Sequence, residues 1–93
     1  MKNKVPPISD DAKQLLLEAS KDQHGYIHKL ESLGGLEILT NSKSFAIFGD
    51  PRSEARWVDA LEQLCRFDLV TQEGKESFRV TNYGYEIADE LSK

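Results

Sequence analysis

The sequence predicts a single domain of the α+β class, with its elements in the order helix, β-hairpin, helix, β-hairpin, helix. Three segments place apolar residues three and four positions apart, as the buried face of a helix requires. The stretches between them are rich in β-branched and aromatic residues and are bounded by turn residues, which is typical of strands. A chain of 93 residues has room for one hydrophobic core. We therefore expect one domain at residues 9–93, preceded by a flexible polar arm at residues 1–8.

The first helix is predicted at about residues 9–22. Ser9 can accept hydrogen bonds from the free backbone N–H groups at the start of the helix, and Asp10 and Asp11 suit the positive end of its dipole. The residues at helical spacing on the apolar face are Ala12, Leu15, Leu16 and Ala19.

The region between the first two helices has the composition of short strands. Residues 26–30 are predicted to form a strand that ends before Gly34. Residues 36–40 and 44–48 are predicted to form a hairpin about a tight turn, in which Asn41 tolerates a positive φ.

A second helix is predicted at about residues 51–67, because Asp50 can cap it and Pro51 suits its first position. Its wide apolar face makes it the expected central helix of the core, and this face comprises Trp57, Val58, Leu61, Leu64 and Cys65.

The end of the chain predicts a second hairpin and a third helix. The hairpin comprises residues 69–72 and 76–80 about a polar turn that contains Gly74. Thr81 can cap the last helix, on which Gly84 allows close packing.

Residues 51–92 resemble a winged-helix domain of the bacterial type. The resemblance rests on the amphipathic helix that ends in residues 64–70, on the short hairpin, and on the closing run of residues 78–91. The first half departs from the usual pattern, because a hairpin is predicted where a second core helix is expected. In winged helices that bind DNA, the helix before the wing enters the major groove, and the wing contacts phosphate or the minor groove. The resemblance thus implies DNA contact by the 51–67 helix and the 69–80 wing.

Four basic residues are the candidate nucleic-acid contacts. Arg52 and Arg56 lie one turn apart near the start of the second helix, and Lys75 and Arg79 lie on the predicted wing. In the alternative interpretation they have structural roles: Arg56 pairs with a nearby acid, Asp59 or Asp50, and Lys75 only solvates a turn.

The charge of the chain opposes strong nonspecific DNA binding. The net charge is −4, and acidic residues outnumber basic ones in both halves. A protein–protein interaction or adaptor module, possible also as a homodimer, is therefore the competing hypothesis. It predicts exposed aromatic residues near the first hairpin, and the candidates are Tyr26, Phe45, Phe48 and Tyr85.

No catalytic signature is present, so we expect neither an enzyme nor a cofactor: there is no glycine-rich phosphate loop and no nucleophile elbow. Cys65 and Trp57 are predicted to be core residues, with a redox thiol and a base-stacking ring as the alternatives. His24 and His28 are four residues apart but flank a glycine and enter a strand, so no metal site is expected.

The sequence also favours a cytoplasmic location without membrane contact. The single cysteine excludes a disulfide within the chain, and no apolar run is long enough to span a bilayer.

Overall fold

The computed structural model describes residues 4–93, which form three helices and one five-stranded antiparallel sheet. The α+β class is therefore confirmed; residues 1–3 of the predicted arm lie outside the described residues. The helices are α1 (Asp10–Lys21), α2 (Pro51–Arg66) and α3 (Asn82–Leu91). The strands are β1 (Tyr26–Ser32), β2 (Gly35–Thr40), β3 (Lys43–Ser44), β4 (Val70–Gln72) and β5 (Ser77–Val80).

All three helices begin at the caps that the sequence predicts. The side chain of Ser9 accepts a hydrogen bond from the Ala12 backbone N–H, and Asp50 caps α2 in the same way. Thr81 accepts from the Gly84 N–H and donates to the Asp68 carbonyl oxygen, so it joins the start of α3 to the segment before β4. These side chains satisfy N–H groups that have no partner within a helix.

The predicted hairpin of residues 36–40 and 44–48 is present but short, and a longer hairpin that the sequence did not predict lies before it. The long hairpin joins β1 to β2 through Leu33 and Gly34, whose φ of +100° provides the turn that the sequence interpretation treated as a break. The predicted strand at residues 44–48 is reduced to the two residues of β3, which pair with the end of β2. The Phe45 N–H still donates to the Ile38 carbonyl oxygen, and its ring packs against Trp57 with ring centroids 4.9 Å apart. After Phe45 the chain leaves the sheet.

The turn between β2 and β3 follows the sequence prediction. Asn41 and Ser42 both have positive φ angles, 51° and 64°, as a two-residue hairpin turn requires. The Asn41 amide also donates to the carboxylate of Glu18 on α1, which fixes the turn against the helix.

Both hairpins belong to one sheet with the strand order β3-β2-β1-β5-β4. Side chains alternate between its two faces, and one face is buried beneath the helices through residues such as Ile27, Ile38 and Phe78. Within residues 4–93 no helix covers the other face, which carries side chains such as Tyr26 and Arg79 that are at least partly exposed. The fold is thus a two-layer arrangement with one open sheet face.

α1 and α2 each contribute four buried residues to the core, so α2, which the sequence predicts as the central helix, shares that position with α1. α1 packs against both α2 and α3, and its four predicted inward residues are completely buried. Ile8, within the predicted arm, is also part of the core. Trp57 is buried, which confirms its interpretation as a core residue.

Candidate functional site

The two candidate arginines of α2 have different environments. Arg52 is exposed in the first turn, and among residues 4–93 its side chain has no ion pair. Arg56 donates two hydrogen bonds to Asp11 on α1, from Nε at 2.5 Å and from Nη2 at 2.6 Å. This ion pair supports a structural role for Arg56, although its partner is Asp11 and not Asp50 or Asp59.

The two candidate residues of the predicted wing, Arg79 and Lys75, also have different environments. Arg79 lies on the open sheet face, where its guanidinium is 5.6 Å from the centre of the Tyr26 ring and 3.7 Å from the Glu73 carboxylate. The helices, including α2, cover the opposite face of the sheet. Lys75 is exposed in the β4–β5 turn, beside a cleft that is also lined by Lys29, Glu31 and Glu76. Arg52 and Arg56 therefore lie on one helix, whereas Arg79 lies on the face of the sheet opposite to that helix.

Among residues 4–93, three of the five large apolar residues that are exposed lie on the first hairpin tip and the loop that contacts it, and the other two are Val5 and Leu30. Leu33 at the tip of the β1–β2 hairpin is fully exposed, and in the loop before α2 the exposed fractions are 64% for Ile47 and 49% for Phe48. We call these three residues the tip patch. Single exposed apolar residues are common on protein surfaces, whereas contiguous groups mark contact surfaces.

The hairpin and the loop that carry the tip patch are in direct contact. A Cβ atom on Gly35 would lie 2.8 Å from Cε2 of Phe48 and 2.7 Å from the backbone nitrogen of Gly49. Only a glycine leaves room for the loop to approach this closely. The ring of Phe48 thus covers the base of the hairpin tip while half of its surface remains exposed.

Glu54 on α2 forms hydrogen bonds with both the hairpin and the loop. One oxygen of its carboxylate, Oε2, accepts hydrogen bonds from the backbone N–H groups of Leu36, at 3.0 Å, and of Gly49, at 2.7 Å. Nearby, Ser53 accepts a hydrogen bond from the Ile47 N–H at 2.8 Å. The first turn of α2 therefore holds the loop and the hairpin in a fixed relative position.

The four aromatic residues named by the protein-interaction hypothesis divide into two groups. Phe48 is exposed beside the first hairpin, as the hypothesis requires. Tyr26, Phe45 and Tyr85 are only partly exposed, and Tyr26 stacks on His28 with ring centroids 5.8 Å apart. Only one of the four aromatic rings therefore contributes to the tip patch.

Sequence reasoning missed two of the three residues of the tip patch. Ile47 was assigned to a strand, and Leu33 was given no role. The sequence did contain a signal for Leu33, because a leucine followed by Gly34 between two strand-like stretches is a candidate for an exposed hairpin tip.

Reactive side chains lie elsewhere in the domain. Cys65 is half-buried against the core, and burial raises the pKa of its thiol, with a further contribution from the negative charge of Glu62. Across residues 4–93, no group of three or more histidine, cysteine, aspartate or glutamate side chains is placed to hold a metal ion. None of the helices in this part of the chain combines the length and apolar character needed to cross a membrane.

Comparisons of the chain with protein-family models, with curated proteins and with solved structures give no significant match. The function is therefore inferred from the residues of this chain alone.

Proposed function

We propose that this domain is a noncatalytic module that binds a protein partner through the tip patch. The exposure of Leu33, Ile47 and Phe48 on the hairpin tip and the loop that contacts it carries this proposal. Complete burial of a side chain of this size contributes roughly 1.5–3 kcal/mol, so three of them can anchor a contact. Interface energy is commonly concentrated in a few such central residues, with a more polar rim around them.

The fixed geometry of the tip patch supports the same proposal. Glu54 and the close packing of Phe48 on Gly35 hold the hairpin and the loop before any partner arrives. A surface that is already ordered loses less conformational entropy on binding than two independent loops would.

DNA contact by a winged-helix-like arrangement, with α2 as the recognition helix and β4–β5 as the wing, is the second candidate. The exposure of Arg52 and Lys75, neither of which has an ion pair within residues 4–93, favours it. The pairing of Arg56 with Asp11 and the position of Arg79 on the open sheet face weigh against it. The net charge of −4 opposes it further.

Site-specific photocrosslinking in cells that produce the protein tests the first proposal. A photoreactive phenylalanine analogue is placed at Leu33, which is fully exposed, and in a control protein at Asp89, which is exposed on α3. We expect a protein adduct of discrete size from position 33, its loss when Ile47→Asp is added, and no such adduct from position 89. Equal adducts from both positions, or none from position 33, would refute the proposal.

A further inference from the structure

The loop before α2 continues the register of the β2–β3 hairpin without forming its next pair. The pairing of the two strands extends one residue past β3, because the Phe45 N–H donates to the Ile38 carbonyl oxygen at 2.9 Å. Hydrogen-bonded pairs in an antiparallel ladder recur at every second residue. The next such pair would therefore join Leu36 to Ile47.

The backbone groups of this missing pair are bound at the start of α2 instead. The Leu36 N–H donates to Oε2 of Glu54 at 3.0 Å, and the Ile47 N–H donates to Oγ of Ser53 at 2.8 Å. The Ile47 carbonyl oxygen accepts a hydrogen bond from the Asp50 N–H at 3.0 Å. The first turn of α2 and the edge of β2 thus compete for the same backbone groups of the loop.

The loop is close enough to β2 for the missing pair to form by a local rearrangement. A Cβ atom on Gly35 would lie 2.7 Å from the backbone nitrogen of Gly49 and 2.8 Å from the ring of Phe48, so the loop runs directly beside the start of β2. Residues 45–48 also have the aromatic and β-branched composition of a strand. The two-residue turn between β2 and β3 already sets the register that they would follow.

We propose that residues 45–48 are a switch segment with two arrangements. In the present one the segment is bound to Ser53 and Glu54 of α2, and in the second β3 extends to residue 47 and pairs with Leu36. Side chains of paired residues point to the same face of a sheet, so the second arrangement places Ile47 beside Leu36 on the helix-covered face. It therefore removes Ile47 from the tip patch.

The hydrogen bonds of the two arrangements explain why the present one is adopted. The second arrangement gives up two hydrogen bonds to the Glu54 carboxylate and one to Ser53, and it turns the buried Ala46 to the other face. It gains two backbone hydrogen bonds, which are weaker than those to a charged group. Removal of both α2 side chains should therefore reverse the preference.

A partner that covers Ile47 would stabilise the present arrangement, because it binds only the state in which that side chain is exposed. This consequence rests on the proposed function, whereas the existence of the two arrangements does not. The switch segment would thus regulate access to the tip patch.

Variants that lack the side chains of Ser53 and Glu54, singly and together, test the proposal. Scalar coupling across the hydrogen bond of the Leu36 15N nucleus identifies its acceptor, which in the parent protein should be the carboxylate of Glu54. In Glu54→Ala the Leu36 amide should exchange faster, because Ser53 still holds Ile47. In Ser53→Ala/Glu54→Ala we expect coupling to the carbonyl carbon of Ile47 and exchange about fivefold slower than in Glu54→Ala, the effect of one regained hydrogen bond.

Ile47→Pro provides the matched control for the ladder. Proline has no N–H to pair with Leu36, so its addition to the double variant should abolish both the coupling and the regained protection. Protection of the β5 amides shows that each variant is folded. If the double variant unfolds, Ser53→Ala/Glu54→Asp takes its place, because it keeps the negative charge at the start of α2 and shortens the side chain by one carbon.

The possible outcomes separate the proposal from the proposed function. The proposal is overturned if a folded double variant shows no coupling to Ile47, or if its Leu36 amide exchanges as fast as in Glu54→Ala. Coupling that survives Ile47→Pro also overturns it. The proposed function is decided by the photocrosslink from position 33, and failure of that crosslink leaves the two arrangements of the switch segment unaffected.

Discussion

Arg56 on α2 holds Asp11 on α1 through two short hydrogen bonds, which connect residues 45 positions apart in the sequence. The guanidinium therefore acts as a link between two helices. Arg56 was a candidate for DNA contact. Because it forms this ion pair, its substitution should reduce the stability of the folded domain.

Substitution of Arg56 by glutamine should lower the thermal unfolding midpoint at neutral pH, whereas Arg52→Gln should leave it nearly unchanged. Hydrogen bonding from Arg56 lowers the pKa of Asp11, so the folded state gains stability while the carboxylate is charged. This contribution is present above the ordinary carboxyl pKa of about 4 and is lost as the pH falls through the lowered value.

Thermal unfolding of both variants and the parent protein between about pH 7 and pH 2 measures this effect. The deficit of the Arg56 variant should be constant at neutral pH and shrink in acid. A deficit that is equally large in both variants, or that grows in acid, would contradict a role for the ion pair.

Gly84 should not tolerate a side chain. A Cβ atom there would collide with the backbone carbonyl oxygen of Leu69 and would lie 2.8 Å from Cγ1 of Val80. Gly84→Ala should therefore reduce the free energy of unfolding by roughly 1–3 kcal/mol in denaturant titrations. Gly74→Ala is the matched control, because the nearest atom to its added Cβ is 3.9 Å away. Similar losses in both variants would show that close packing at Gly84 is not the cause.

The removal of Glu54 should release both segments of the tip patch. The backbone N–H groups of Leu36 and Gly49 share this one carboxylate, so Glu54→Ala should speed hydrogen exchange at both amides while amides in β5 keep their protection. The expected loss of stability is roughly 1.5–3 kcal/mol, the usual range for hydrogen bonds to a charged group.

Glu54→Gln serves as the control for shape, since its amide oxygen can accept the same two hydrogen bonds. It should keep most of the protection at both amides. If the alanine variant accelerates only one of the two amides, Glu54 does not couple the hairpin to the loop.

Local chemistry predicted the helices, whereas the candidate surface depends on distant contacts. Ser9, Asp50 and Thr81 act on N–H groups within a few residues, so their caps could be inferred from the sequence. The residues around Arg56 in the sequence gave no indication that it would form an ion pair with Asp11.

The exposed side chains were harder to predict for a related reason. Residues 45–48 have the composition of a strand, yet the chain leaves the sheet after Phe45, whose ring packs against Trp57, and Ile47 is exposed. Composition describes what a segment can form, and tertiary packing decides which form is adopted.

Cys65 should react slowly with alkylating reagents. Burial raises the pKa of its thiol, so the reactive thiolate is a smaller fraction at pH 8 than in a free cysteine. We expect the rate of iodoacetamide labelling of the folded protein to lie below that of a cysteine peptide and to keep rising above about pH 9. The urea-unfolded protein, in which the thiol is solvated, should match the peptide. A folded-state rate equal to the peptide's would contradict the effect of burial.

Arg52 and Lys75 should contribute most of whatever affinity the domain has for DNA. A 15N titration with a generic duplex at about 50 mM and about 200 mM salt measures this, since phosphate contacts weaken steeply over that range. We expect shifts that are small, sensitive to salt and confined to the surroundings of these two residues, because Arg56 and Arg79 already have carboxylate partners.

Charge removal distinguishes the two candidate functions at this point. If Arg52→Gln and Lys75→Gln together abolish the DNA shifts while Leu33→Ser leaves them intact, the duplex contacts the basic residues without using the tip patch. Salt-resistant binding that also shifts the amide resonances of Arg79 and β4 would instead favour a helix-and-wing contact. DNA binding would then replace protein binding as the first proposal. The absence of shifts at both salt concentrations would exclude generic DNA binding and leave protein binding through the tip patch as the function to pursue.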